Sequence, residues 1–243
     1  MIRAPVPSPE WLRYRDPFRD LAQRADLFAD ICRLLPRYQS FFAPAARGTL
    51  QDTDGTEFVS EHGLGLWVHP RLAVTEFTQS FVYGRFRAGG WGEEPVPRAL
   101  QMARISDPDL GFGFACAHLH GLRDAAGKGD TANRRTQCKT LVQAIQSFRV
   151  SAQERFVLAG DLNVLPDNPM FAELARIGLH DQVTGRGHKD TRTSLYTKPQ
   201  RFADYLLASK SVDIADFQLP AMPEVSDHRP LVLDIKTSGS TAI

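Results

Sequence analysis

Cysteine is scarce and shows no pairing pattern. Cys32, Cys116 and Cys138 are odd in number, widely spaced and set in apolar stretches, which argues against a disulfide framework or a zinc knuckle and for reduced core thiols. Charge of one sign is lacking too: a formal net charge of +1 argues by itself neither for nor against nucleic acid. No apolar run approaches the ~20 residues that span a bilayer. The opening MIRAPVPSPEWL has no apolar signal core, so the expectation is a cytoplasmic monomer without a membrane span. Also missing are a Pro/Gly/Ser-rich divider, an internal repeat and a low-complexity segment. The expectation is therefore one domain over 1–243, with an irregular segment at 1–15 and a flexible tail at 237–243.

What is present is a series of apolar stretches with clear periods. In DPFRDLAQRADLFADICRLLP, Asp16 suits an N-cap, Pro17 the first helical position and Pro36 a stop, while Phe18, Leu21, Ala25, Phe28, Cys32 and Leu35 share one face. This predicts an amphipathic helix. DTDGTEF reads as a turn, and GLGLWVHP with LAVTEFT as a strand pair punctuated by Pro70. GFGFACAHLHG is a strand, 132–148 a helix, RFVLAG a strand buried on both faces, and 169–177 a short helix. FADYLLAS and PLVLDI close the chain as strands, giving a sheet core flanked by helices.

Polar residues cluster where these strands begin or end: His118 and His120, Asp161 and Asn163, Asp204, and Asp227 with His228. Strands deliver such side chains to a common rim, so residues far apart in sequence can converge. Asp161 and Asn163 in GDLN are two apart and point to one side of an extended chain. Asp227 in SDHRP suits a hard cation such as Mg²⁺, and His228 suits proton transfer near neutral pH. HLHG offers two imidazoles on one strand face but no third ligand nearby, so a His contacting phosphate fits better than a zinc site. Arg186, Lys189, Arg192, Tyr196 and Lys198 could line a basic groove with a stacking aromatic, or form an ordinary exposed loop.

In this order, the motifs over about residues 58 to 236 resemble the endonuclease/exonuclease/phosphatase superfamily of Mg²⁺-dependent, DNase I-like phosphoesterases, with GDLN and SDH the most specific. The resemblance implies an α+β fold, a four-layered α/β sandwich of two mixed sheets flanked by helices. It implies that Asp161 orients or deprotonates the attacking water and that Asn163 steadies the water or the phosphate. Asp227 becomes a metal ligand, joined by Asp161 and Asn163, and His228 the imidazole beside the scissile phosphate, with Asp204 fixing its tautomer. His118, in A-H-L where the family has T-H-L, contacts or protonates the phosphate. Arg135, Gln137 and Tyr196 become substrate-binding residues. The implied cofactor is Mg²⁺, with Mn²⁺ an alternative, and the implied substrate is nucleic acid or a small or lipid phosphoester.

The family opens with a strand, a helix and a strand ending in Q-E, whose Glu is its principal Mg²⁺ ligand. No counterpart occurs here, so the fold is expected to be N-terminally truncated by about 30–40 residues. Glu57 and Glu61 lie too late to fill that role. One expectation is an active enzyme whose start lies upstream of Met1. The other is a catalytically impaired homologue acting as a binding or structural domain. A metal-independent hydrolase using His118 and His120 is a third.

Overall fold

The computed structural model of the chain describes residues 1–3, 11–16, 19–51, 55–89, 97–122, 124–125 and 127–237. The chain divides into two compact units, one of Met1–Arg71 with Tyr83–Ala99 and the other of Leu72–Val82 with Leu100–Ile243.

The first unit holds β1 (Ile2–Arg3), β2 (Trp11–Asp16), β3 (Arg19–Arg24), α1 (Leu27–Leu34), β4 (Gln39–Gln51) and β5 (Glu57–Val68). Strands β1, β5 and β4 form an antiparallel sheet in that order, and β2 pairs with β3 from Trp11↔Arg24 to Asp16↔Arg19. The long helix expected from Pro17 to Leu35 is therefore a strand hairpin followed by a helix half as long. Asp26 is the true N-cap, its side chain accepting a 3.0 Å hydrogen bond from the Ala29 amide. Over six residues an apolar spacing compatible with a helix also fits a strand, and cross-strand pairing decided between them. The opening segment expected to be irregular supplies β1 and most of β2, while the expected tail lies almost wholly outside the described residues. Of the turn expected in DTDGTEF, residues 52–54 also lie outside them.

Phe28 anchors α1 by ring contacts to Phe42 and Trp67, with centroids 5.1 and 5.0 Å away, and the Trp67 indole donates to Cys32 Sγ at 3.4 Å. Glu61, 1% exposed, is held by Arg3 and Arg47, with Arg47 Nη2 donating to its carboxylate at 2.7 Å. Burial pushes its pKa up, but the two guanidinium groups outweigh that and hold it below the usual range.

The second unit carries β6 (Ala73–Tyr83), β7 (Arg98–Asp107), β8 (Phe112–Leu119), α2 (Ala132–Phe148), β9 (Phe156–Asp161), α3 (Met170–Arg176), β10 (Leu179–Asp181), β11 (Asp204–Ser209), β12 (Ile214–Gln218) and β13 (Val232–Ile235). Its main sheet has the order β10-β11-β9-β8-β7-β6, so LAVTEFT and GLGLWV are strands but not partners: they belong to different sheets. β8 and β9 run parallel, and α2 makes the crossover that a parallel pair requires. Thr131 caps α2, accepting from the Arg134 amide at 3.2 Å. The apolar stripe of α2, Cys138, Leu141, Ile145 and Phe148, joins Phe156 and Leu158 of β9 and Leu207 of β11 in one core cluster. Each fully buried Leu or Ile there contributes about 1.5–3 kcal/mol. The end of β9 is thereby fixed in space.

Candidate functional site

Asp161 is the last residue of β9, and the antiparallel register with β11 sets it directly opposite Asp204. Two glycines make room. A Cβ on Gly121 would stand 2.5 Å from Asp161 Oδ2, and one on Gly160, whose φ is +133°, would meet the Leu119 carbonyl oxygen at 2.3 Å and His118 Cδ2 at 3.2 Å. Only a residue without a side chain allows the Asp161 carboxylate and the His118 ring to lie this close to the backbone.

After Asp161 the chain turns sharply. Asn163 adopts φ +50°, a left-handed conformation that Asn tolerates better than most residues. The amides of Leu162 and Asn163 both donate to the Ala203 carbonyl, at 2.8 and 2.9 Å, and the Asn163 side-chain amide donates to Leu122 O at 2.9 Å. Arg134 Nη1 donates to Asn163 O at 2.9 Å.

The segment after Ala203 brings the remaining groups. His228 Nδ1 lies 2.8 and 2.7 Å from the two oxygens of Asp204, so Nδ1 carries the proton and Nε2 is turned outward. Burial lowers the imidazole pKa, but the Asp204 hydrogen bond and charge outweigh it and the net shift is upward. Asp161 moves the other way from a usual carboxylate. Burial first, then the Asp204 charge, push it up to about 6, against the pull of His228, Arg192 and Lys128. Its Oδ1 is buried without a hydrogen-bond partner. His118 is driven down to about 4 by burial and is neutral at pH 7.

Asp227 reaches the same rim. Its Oδ2 accepts from Arg192 Nη1 at 3.0 Å, and its Oδ1 is 3.9 Å from His228 Nε2. Tyr196 lies beside Arg192 and Lys128, whose charged groups stand 4.3 and 5.6 Å from its ring centroid. Asp161 and Asp204 thus stand on paired strand ends, Asn163 follows β9, Asp227 and His228 come from the segment before β13, and His118 lies on neighbouring β8. Arg135 and Gln137 do not join them. Arg135 is exposed on α2 and pairs with Asp130 at 3.4 Å, and Gln137 is 1% exposed inside the fold. Sequence reasoning passed over Arg134, Lys128 and the tie between Arg192 and Asp227.

Among the described residues, no three acidic, His or Cys side chains cluster as a metal cage. What the rim offers is an orphaned oxygen on Asp161 and the oxygen of Asp227 that Arg192 leaves open. Mg²⁺ is commonly bound by one or two carboxylates and several waters, so this donor set fits such an ion.

A mixed sheet with few helices is consistent with a phosphoesterase fold of the DNase I-like kind. The chain belongs to the Endonuclease/Exonuclease/phosphatase family, whose sequence model matches residues 11–228, and its fold is α+β of the DNase I-like kind. It is similar to the human nocturnin catalytic domain with bound sulfate, at TM-score 0.60 and 18% identity over 87% of this chain and 76% of that one. It is likewise similar to a mannosyl-6-phosphatase of Bacteroides thetaiotaomicron, at TM-score 0.60 and 14% identity over 86% of this chain and 80% of that one. A third similar structure is D. rerio TDP2 with a single-strand DNA product, at TM-score 0.54 and 16% identity over 86% of this chain and 81% of that one. No curated protein matches the chain. Membership of the family makes the coarse chemistry phosphoester hydrolysis, in a group generally dependent on divalent metals. No described helix is long and apolar enough to cross a membrane.

Proposed function

We propose that the chain hydrolyses a phosphodiester or phosphomonoester with a divalent cation, Mg²⁺ or Mn²⁺, by attack of an activated water. One observation carries this: Asp161, with a pKa near 6, stands opposite Asp204, which in turn grips His228 at 2.7 Å. A carboxylate with that pKa is largely ionised at pH 7 yet basic enough to take a proton, the balance general-base catalysis needs. Asp161 orients and deprotonates the water, and Asn163 steadies it. His228, made more basic by Asp204, presents Nε2 to the phosphate or leaving group. His118 stays neutral and serves as a hydrogen-bond donor to the phosphate, not as a cationic acid. Asp227, Asp161 and Asn163 would hold the cation, which when bound counters phosphate charge and makes its water more acidic.

The resemblance implies substrate contacts for Tyr196, Arg135 and Gln137, but Arg135 is exposed and pairs with Asp130, and Gln137 is enclosed in the fold. Of these, Tyr196 has the strongest support, since it lies against two cations beside Asp227. Similar structures include a mannosyl-6-phosphatase and a protein holding a single-strand DNA product, so substrate size is open. The test is a panel of single-strand DNA, sugar phosphate, inositol phosphate and sphingomyelin, each with Mg²⁺, Mn²⁺ or EDTA. Cation-dependent turnover of one class supports the proposal. Uniform inactivity sinks it in favour of a binding domain, and turnover that survives EDTA favours the His118/His120 alternative.

A further inference from the structure

Arg192 is a buried cation in an ion pair with Asp227. Its side chain is 7% exposed, its Nη1 donates to Asp227 Oδ2 at 3.0 Å, its Nε is buried without a hydrogen-bond partner, and its guanidinium lies over Tyr196. Burying a guanidinium is costly unless its charge is matched, and Asp227 is the carboxylate with which it forms an ion pair. The pair is also held from the backbone. Arg192 and His228 form an antiparallel bridge, the Thr193 amide donates to Asp227 O at 3.2 Å, and Arg192 O accepts from Arg229 Nε at 3.0 Å and Arg201 Nη2 at 2.9 Å. Neither partner can drift without breaking these bonds, so the ion pair is built into the site.

We propose that Arg192 is a positioning residue that tunes the cation site: by holding Oδ2 of Asp227 it leaves a single oxygen for a divalent ion and weakens the site's grip on it. This rests on the reading of Asp227 as a cation ligand. The physical reason is twofold. A carboxylate already paired with a guanidinium presents less net negative charge, and the guanidinium repels an incoming dication over a few ångströms. A site that binds its ion weakly also releases it readily, so occupancy follows the surrounding Mg²⁺ concentration.

The experiment is a titration of the full chain with Mn²⁺, followed by electron paramagnetic resonance, for wild type, Arg192→Met, Asp227→Asn and the double variant. Methionine keeps the apolar stem and removes the charge. The expected result is an Arg192→Met Kd about tenfold below wild type, the size of effect one nearby charge exerts on an ionic equilibrium. Asp227→Asn is expected to bind more weakly than wild type, and in that background Arg192→Met is expected to gain less than tenfold, since only the direct repulsion is then relieved. If Asp227→Asn weakens binding but Arg192→Met does not tighten it, the tuning role is overturned and the cation site stands. If Asp227→Asn binds as wild type does, Asp227 is no ligand, and both the cation-site assignment and this inference fail. If circular dichroism shows Arg192→Met unfolded, Arg192→Lys decides: its shorter reach loosens the pair and lowers Kd about threefold, and an unchanged Kd overturns the proposal.

Discussion

Asp161 and Asp204 are Cα partners across the β9–β11 ladder, two carboxylates facing one another at the end of a buried strand pair. Like charges so placed raise the cost of ionising both, and here Asp161 shows the effect. Asp204 has His228 for compensation, whereas Asp161 Oδ1 has no hydrogen-bond partner.

Stability should therefore fall as Asp161 ionises. Its folded pKa, about 6, lies above the unfolded value of 3.8, so the folded state binds the extra proton between those values and loses stability as pH rises through 6. In EDTA, Asp161→Asn should flatten the pH dependence and be more stable than wild type at pH 8 by about 1–3 kcal/mol. Urea melts at pH 5 and pH 8 test this; equal losses for both proteins across that range would refute it.

Removing the orienting carboxylate should show in His228. Asp204→Asn leaves burial as the leading influence, so the imidazole pKa should drop, measured by nitrogen-15 NMR of the ring. The pH dependence runs in the same direction as for Asp161, since both folded pKa values are raised, but Asp204→Asn removes a stabilising partner and so destabilises. A His whose pKa is raised by folding stabilises below its unfolded value of 6.5, and that benefit fades as pH rises past the folded value. Asp204→Asn should thus cost stability at pH 5 and less at pH 9.

Catalysis should depend on both ends of this arrangement. On whichever substrate the panel identifies, Asp161→Asn and His228→Ala should each lower kcat roughly 100-fold or more, as loss of a general base or acid does, with far-UV circular dichroism unchanged. Near-normal turnover in either variant would remove that residue from its role.

The two glycines should separate activity from folding. Gly121→Ala drives a methyl group into the Asp161 carboxylate and should suppress kcat while the protein stays folded. Gly160→Ala meets the Leu119 backbone at 2.3 Å at a φ that L residues avoid, and should lower stability by about 2 kcal/mol or more. Comparing thermal midpoints with kcat for the two variants checks the contrast.

The rim was legible because apolar strands announce themselves and their ends are marked by Asp, Asn and His, as at Asp161 and Asp204. Helix α2 was legible, expected at about residues 132–148 from the one apolar stripe that runs through it. The same stripe held an unread message: Arg134 and Gln137 lie four residues before Cys138 and Leu141, so both turn inward while Arg135 faces out. The hairpin of β2 and β3 was not legible, because six residues cannot distinguish period 2 from period 3.6. Nor was the Arg192–Asp227 pair. Thirty-five positions separate the two residues, and the Arg192↔His228 bridge with the hydrogen bonds around it brings them together.

One hydroxyl ties these parts together. Thr191 Oγ1 accepts from the amides of both Ala203 and Asp204, at 3.0 and 3.2 Å, while Thr191 O accepts from the Arg229 amide at 2.9 Å. The loop bearing Arg192, the strand bearing Asp204 and the segment bearing His228 therefore share a single knot. Thermal loosening there releases proton carrier, orienting carboxylate and counter-charge together, so the rim fails as one cooperative piece and does not fray residue by residue.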